Sequence, residues 1–112
     1  MTPHHREALR RAQARLDGLS LYPRPVTIDR VRIRVAPLFF RLPPLRRYQG
    51  YALVRTILLR RADASDDLIT HELCHVWQMQ HRPLHVVLTY LTTRYRRNPY
   101  ELEARRAVEL TR

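Results

Sequence analysis

The chain has 112 residues, of which 45% are hydrophobic, and its formal net charge of +11 reflects 21 arginines, no lysine and 10 acidic residues. This length suits one domain that buries a modest core. The single cysteine, Cys74, excludes an internal disulfide, and neither a signal peptide nor a bilayer-spanning apolar run is visible, so we expect a cytoplasmic protein.

The positive charge is spread along the whole chain, from Arg6 to Arg112, and lies among residues with a core pattern. A basic chain attracts nucleic acid and other polyanions. However, a site selected for phosphate would also accept lysine, so exclusive use of arginine indicates a compositional bias. We expect weak polyanion affinity and keep a basic nucleic-acid-binding or partner-binding module, with a non-catalytic zinc site, as an alternative function.

The first half of the sequence predicts a helix followed by two strands. Residues 2–18 show helical spacing of apolar side chains, namely Ala8, Leu9, Ala12 and Leu16. Residues 26–35 alternate between apolar residues and arginine, which predicts a half-buried strand. Residues 51–59 are rich in aliphatic and β-branched side chains and predict a second strand. We expect the two strands to pair antiparallel, with either a hairpin or a third short strand between them.

A helix with two different faces should follow the strands. Ser65 is a favoured N-cap residue, and Pro83 should end the helix soon after Gln80. Residues four apart lie about 40° apart around a helix axis, so His71 and His75 point the same way. The opposite face is apolar and should pack on the core through Ile69, Leu73, Val76 and Trp77.

Two more helices complete the predicted fold. One runs from Leu84 to about Tyr95, with an apolar stripe of Leu84, Val87, Leu88 and Leu91. The last runs from Pro99, which suits a first helical position, to about Leu110. The prediction is therefore one α+β domain over residues 1–112. It comprises an N-terminal helix, a small antiparallel sheet, a metal-binding helix and a C-terminal helix that carries glutamates.

Residues 70–75 contain the pattern His-Glu-x-x-His. Two neutral imidazoles four residues apart on a helix can bind one Zn²⁺. Glu72 projects from the flank of that face, where a carboxylate can take a proton from the metal's water without being a ligand. Catalytic zinc sites use three protein ligands and leave the fourth position to water, so the chain must supply a third ligand.

Three residues are candidates for that ligand. Glu101 lies near the start of the last helix, and Glu103 projects roughly 200° further round the same helix. Both flank its apolar face, so periodicity does not choose between them. His81 would lie about 9 Å along the axis from His75 if the helix continues, too far to share the metal. For His81 to reach the metal, the chain would have to turn back after His75. The middle residue of such a turn is usually glycine, but here it is Gln78. The other histidines, His4, His5 and His85, are expected at the surface.

The motif His-Glu-Leu-Cys-His followed by Glu-Leu-Glu-Ala at residues 101–104 resembles the gluzincin pattern, His-Glu-x-x-His with Glu-x-x-Ala on a later helix. The chain length and element order look like the minigluzincins, minimal zinc metallopeptidases with the zincin fold. The resemblance implies a catalytic zinc centre with three zinc ligands, His71, His75 and Glu101, and with Glu72 as the general base.

The chain differs from the gluzincin pattern at one position, and one other family offers an alternative third ligand. Many gluzincins carry an aspartate four residues after the ligand glutamate, where this chain has Arg105, so another residue such as Asp63 or Glu103 must support a metal histidine. SprT-like zinc proteins place a later histidine in a short loop, and the spacing of His81 fits that alternative.

These patterns predict a monomeric zinc metallopeptidase acting on peptides or proteins. The strand over 51–59 should run above the cleft, where its free edge can hold an extended peptide. The sequence does not identify the group that stabilises the oxyanion; Tyr90, Tyr95, Tyr100 or an arginine could do so.

Overall fold

The computed structural model describes the backbone of residues 1–112 and every side chain except that of Arg96. These residues form an α+β fold with the elements α1 (Pro3–Asp17), β1 (Arg32–Val35), β2 (Gly50–Leu53), β3 (Thr56–Leu59), α2 (Asp66–His81), α3 (Pro83–Thr92) and α4 (Pro99–Thr111). Short 3₁₀ turns lie at Phe39–Arg41, Pro43–Leu45 and Tyr95–Arg97. Among the described residues, no helix combines the length and the apolar character needed to cross a membrane.

Capping side chains set the helix boundaries close to their predicted positions. Thr2, Ser65 and Asn98 each accept a hydrogen bond from a first-turn backbone N–H, in α1, α2 and α4, at 3.1, 3.1 and 2.9 Å. Pro83 opens α3 directly after the end of α2, because proline lacks the N–H that would continue the earlier helix. The predicted helices therefore all form, and α3 ends three residues earlier than expected.

The sheet is mixed, so the predicted antiparallel pairing of the two strands was wrong. The strand order is β1-β3-β2, with β3 parallel to β1 and antiparallel to β2. After β1 the chain passes through two 3₁₀ turns, returns as β2 and runs forward again as β3 between the other two strands. Consequently β1 and β3 run in the same direction, and β2 is an edge strand.

The segment predicted as one continuous strand over 51–59 is instead two strands, β2 and β3, joined as a hairpin, so that prediction was wrong. Leu53 pairs with Thr56 across a two-residue turn formed by Val54 and Arg55. Val54 has a φ of 53°, in the left-handed region that β-branched residues seldom adopt. Hairpin turns usually place glycine or asparagine at such a position, so the sequence carries no turn signal here.

Helix α2 lies at the centre of the fold, in contact with α1, α3, α4 and the sheet. The predicted apolar faces of α1 and α2 are all buried, with at most 2% exposure: Ala8, Leu9, Ala12, Leu16, Ile69, Leu73, Val76 and Trp77. This packing holds one face of α2 in the core and leaves its other face for the histidines.

The apolar stripe of α3 is not part of the core. Leu84, Leu88 and Leu91 are 80%, 59% and 76% exposed, and Val87 is also exposed. Val86 is buried instead, at 5% exposure. Periodicity shows which residues share a helix face, but it does not show what that face meets.

A small residue on α4 permits the packing that positions the site. Ala104 is fully buried in the core, on a helix that packs against α2. We expect Ala104→Leu to lower the free energy of unfolding by about 1–3 kcal/mol, because the added atoms overfill a packed interior. Urea unfolding measures this, with Arg106→Leu at an exposed position of the same helix as the control. Equal unfolding midpoints for the two variants would contradict the packing described.

Candidate metal centre

His71 and His75 on α2 meet Glu101, the third residue of α4, and these three residues form a group that could hold a metal ion, the metal group. Nε2 of His71 lies 2.9 Å from Oε1 of Glu101, and Nε2 of His75 lies 2.8 Å from Oε2 of the same carboxylate. The two Nε2 atoms are 3.2 Å apart. The structure therefore brings together the three side chains that the sequence motifs single out.

This donor set suits a zinc ion. Two imidazoles and one carboxylate form a known catalytic zinc set. Ligand atoms around a tetrahedral zinc lie about 3.3 Å apart when its bonds are near 2.0–2.1 Å. Potential ligand atoms of the three residues lie within 4.8 Å of one another. The His71 and His75 side chains keep 18% and 13% exposure, so the group is open on one side.

The charges in this group favour an ionised carboxylate. Burial disfavours the charged form of Glu101, but hydrogen bonds and charge from His71 and His75 outweigh it and hold the Glu101 pKa well below its usual range. Burial alone would lower the pKa of His75, yet its contacts with Glu101 and the charge of Glu72 raise it. A metal binds a deprotonated ring nitrogen, so metal uptake against the raised pKa of His75 should release a proton.

Glu72 is buried between α2 and the edge strand β2, at 5% exposure. Burial raises the pKa of its carboxyl group. A Cβ atom on Gly50 of β2 would lie 3.2 Å from both Cγ and Oε2 of Glu72, and 3.3 Å from Cδ1 of Leu68. The absence of a side chain at Gly50 therefore leaves the room that the Glu72 carboxylate occupies.

The close approach at Gly50 yields a prediction. Gly50→Ala should displace the Glu72 carboxylate by a few tenths of an ångström, because the added Cβ meets it within 3.2 Å. If Glu72 acts as a base, kcat for peptide hydrolysis should fall roughly tenfold or more, since small displacements of reacting groups are costly. Zinc content should not change, and Ala52→Gly on the same strand is a control. Full activity in Gly50→Ala would contradict this role for Gly50.

His81 lies outside the metal group. Helix α2 continues unbroken to His81, as predicted, and carries it along the axis away from His75. Its ring stacks on Tyr22 with centroids 5.1 Å apart, and its Nδ1 lies 3.2 Å from the carbonyl oxygen of Trp77. This placement does not bring His81 to the other two histidines.

Neither Asp63 nor Glu103, the residues expected to hydrogen-bond a metal-binding histidine, contacts His71 or His75. Asp63 is exposed and pairs with a neighbouring arginine at 3.0 Å. Nε of Arg105 lies 3.6 Å from Oε1 of Glu101, so the position that often holds an acid here holds a base beside the carboxylate. Glu103 accepts a hydrogen bond from the Gln78 amide at 3.1 Å and does not touch the metal group directly.

Gln78 is the residue of the site that sequence reasoning missed. It is fully buried, and its Oε1 lies 2.8 Å from Nδ1 of His75. The available signal was its position three residues after His75, which places it on the neighbouring part of the same helix face. That signal alone does not distinguish a metal-site partner from an ordinary helix residue.

One of the remaining histidines is placed differently from expectation. His5 was expected at the surface, but it is 4% exposed, and its Nε2 lies 2.9 Å from the carbonyl oxygen of Ala62. The first turn of α1 therefore packs against the loop that precedes α2. His4 and His85 are exposed, as expected.

The metal group opens into a cleft with two unlike sides. On one side, a cavity of about 480 Å³ reaches His75 and Glu72 and is lined by β2, α3 and connecting residues. Its lining is largely apolar and includes Leu53, Val87 and Leu91. On the other side, a cavity of about 410 Å³ reaches His71 and Glu72 and is lined by residues that include Arg47, Tyr48, Tyr95 and Arg105.

Two of the three tyrosines considered for oxyanion binding face this cleft. Tyr90 and Tyr95 line the apolar cavity together with Glu72, and the Tyr90 hydroxyl lies 3.5 Å from Nδ1 of His75. Burial raises the pKa of both hydroxyls, so they remain donors at neutral pH. Tyr100 is buried elsewhere, with its hydroxyl against the His85 ring.

No model of a known protein family, no curated protein and no solved structure matches this chain. The functional assignment of the site therefore depends on its motif, its donor set and its surroundings.

Proposed function

We propose that this protein is a zinc-dependent metallopeptidase of gluzincin type with a zincin-like fold. The observation that carries the proposal is the convergence of His71, His75 and Glu101, with Glu72 buried beside them, at the floor of a cleft. A structural zinc site is normally closed by four protein ligands. Three ligands that open to a cleft instead favour a catalytic role.

Each residue has a distinct part in the proposed reaction. Zinc, when bound by the three ligands, supplies Lewis-acid polarisation of the scissile carbonyl and lowers the pKa of a water molecule. Glu72 accepts a proton from the attacking water and then returns it to the leaving amine. Tyr90 and Tyr95 line the cleft, and their hydroxyl groups are the proposed donors to the oxyanion.

The proposed substrate is an extended peptide. Strand β2 is an edge strand that contacts α2, and its residues line the cleft beside Glu72 and His75. An edge strand offers free backbone groups that can pair with a peptide strand. The apolar cavity suits an aliphatic side chain on one side of the scissile bond. On the other side, Asp67 and Glu109 line the cavity that reaches His71, as well as Arg47 and Arg105. The same two arginines also line an adjoining cavity with Arg94 and Arg97, and no acidic residue is among the described residues that line it, which suits an acidic side chain there.

Hydrolysis of defined peptides tests this proposal. We expect zinc-loaded protein to cleave internally quenched peptides that carry leucine on one side of the scissile bond and glutamate on the other. Glutamate-to-lysine substitution in the peptide should lower kcat/KM by about threefold or more, because charge pairs at a partly exposed site contribute up to about 1 kcal/mol each. Added salt should reduce this difference.

A chelation control accompanies this test, and two outcomes would contradict parts of the proposal. A chelator should abolish cleavage, and stoichiometric zinc should restore it. Folded, zinc-loaded protein that cleaves none of the peptides would instead support a non-catalytic zinc module. Equal rates for the glutamate and lysine peptides would leave the peptidase proposal intact but would contradict the assigned substrate polarity.

A further inference from the structure

A chain of hydrogen bonds leads from His75 through Gln78 and Glu103 to Tyr22. Nδ1 of His75 lies 2.8 Å from Oε1 of Gln78. The Gln78 amide nitrogen donates to the carbonyl oxygen of Tyr100 at 2.9 Å and to Oε1 of Glu103 at 3.1 Å. The Tyr22 hydroxyl donates to the same Glu103 oxygen at 2.6 Å. These contacts join α2 and α4 to the segment that follows α1.

The partners of Gln78 determine which way its amide points. A backbone carbonyl and a carboxylate only accept hydrogen bonds, so the NH₂ group must face Tyr100 and Glu103. The Gln78 oxygen must then face His75, and it can only accept. Nδ1 of His75 must therefore carry the proton in that contact, which leaves Nε2 as the nitrogen with a free lone pair in the neutral ring.

The orientation of the ring agrees with this requirement. Nε2 of His75 is the atom that faces Glu101 and the Nε2 of His71. The hydrogen bond from Nδ1 thus selects the tautomer that a metal at the group would need. Gln78 is fully buried, so its side of this bond is shielded from water.

We propose that Gln78, itself held by Glu103 and Tyr22, is a positioning residue that fixes the tautomer and ring orientation of His75 for zinc. This inference depends on the zinc site of the proposed function. It also explains how the site can have Arg105 where many gluzincins have an acid. The hydrogen bond to the histidine that such an acid would accept is accepted here by Gln78 on α2, whose amide is held by Glu103.

Zinc affinity of matched variants tests the inference. Gln78→Met removes the amide with little change in shape, and we expect zinc affinity to fall about 10–100-fold, as when other outer partners of metal histidines are removed. Gln80→Met is the control, because Gln80 lies on the same helix and bonds the backbone of Thr27 instead of the site. Its zinc affinity should change by less than about threefold.

A double-mutant cycle separates positioning from general destabilisation. If Glu103 acts through Gln78, Glu103→Leu should weaken zinc binding in the wild-type background but should cause no further loss in the Gln78→Met background. Glu103→Leu also provides the test if Gln78→Met does not fold. In the zinc-loaded protein, the Nδ1–H proton of His75 should exchange slowly with solvent, and Gln78→Met should accelerate its exchange.

The experiments distinguish failure of the positioning role of Gln78 from failure of the proposed peptidase function. Wild-type zinc affinity retained in folded Gln78→Met, or fully additive losses in the cycle, would overturn the positioning role and leave the peptidase proposal standing. Wild-type protein that binds no zinc would overturn both. Zinc binding that depends on Gln78 in a protein without peptidase activity would support the inference and contradict the proposed function.

Discussion

Glu72→Gln should abolish peptide hydrolysis while leaving the zinc content and the fold unchanged. The amide has the shape of the carboxylate but cannot take a proton from water at neutral pH, and loss of a general base typically costs about 10²–10⁴-fold in rate. Zinc should be retained because Glu72 is not one of the three grouped donors. The measurement is kcat on a cleaved peptide, together with zinc content and circular dichroism of the same preparations.

Glu109→Gln provides the matched control for this experiment. Glu109 is an exposed glutamate that lines the cavity on the His71 side of the same cleft, without contact to the metal group. Its replacement tests whether removal of any negative charge from the cleft alters the rate. Unchanged kcat in Glu72→Gln would exclude Glu72 as the base, and equal losses in both variants would indicate an effect of charge alone.

Glu101→Ala should cause the largest loss of zinc affinity of any single substitution outside the two histidines. It removes the carboxylate that faces His71 and His75 at 2.9 and 2.8 Å. The expected loss exceeds the roughly 10–100-fold that follows removal of an outer hydrogen-bond partner, because a direct ligand is lost. Competition with a chromogenic zinc chelator measures the affinity.

His81→Ala is the decisive comparison for the third ligand. The ring of His81 stacks on Tyr22 instead of joining the metal group, so its removal should leave zinc affinity almost unchanged. Zinc loss confined to His81→Ala, with Glu101→Ala binding normally, would contradict the ligand set and would favour the SprT-like arrangement. The unfolding temperature of both metal-free variants separates loss of ligand from loss of fold.

Local chemistry made the helices and the motif predictable from sequence. Thr2, Ser65 and Asn98 cap helices through contacts within a few residues, and such contacts do not depend on the rest of the fold. The shared direction of His71 and His75 follows from helical periodicity in the same way. Glu101 could be named only by resemblance, because periodicity did not separate it from Glu103.

The features that sequence did not predict depend on contacts between distant segments. The parallel pairing of β1 with β3 arises because β3 inserts between two earlier strands, and side-chain alternation carries no information about strand direction. The turn at Val54 lacks the glycine that would have marked it. The role of Gln78 emerges only when α4 brings Tyr100 and Glu103 to its amide.

The central claim is that His71, His75 and Glu101 together hold one zinc ion. Native mass spectrometry of the purified protein, before and after equilibration with zinc and removal of excess metal, tests this most directly. We expect one zinc per chain in the wild type and little retained zinc in Glu101→Ala under the same conditions. Folded wild-type protein that retains no zinc, or that retains as much in Glu101→Ala as in the wild type, would contradict the claim.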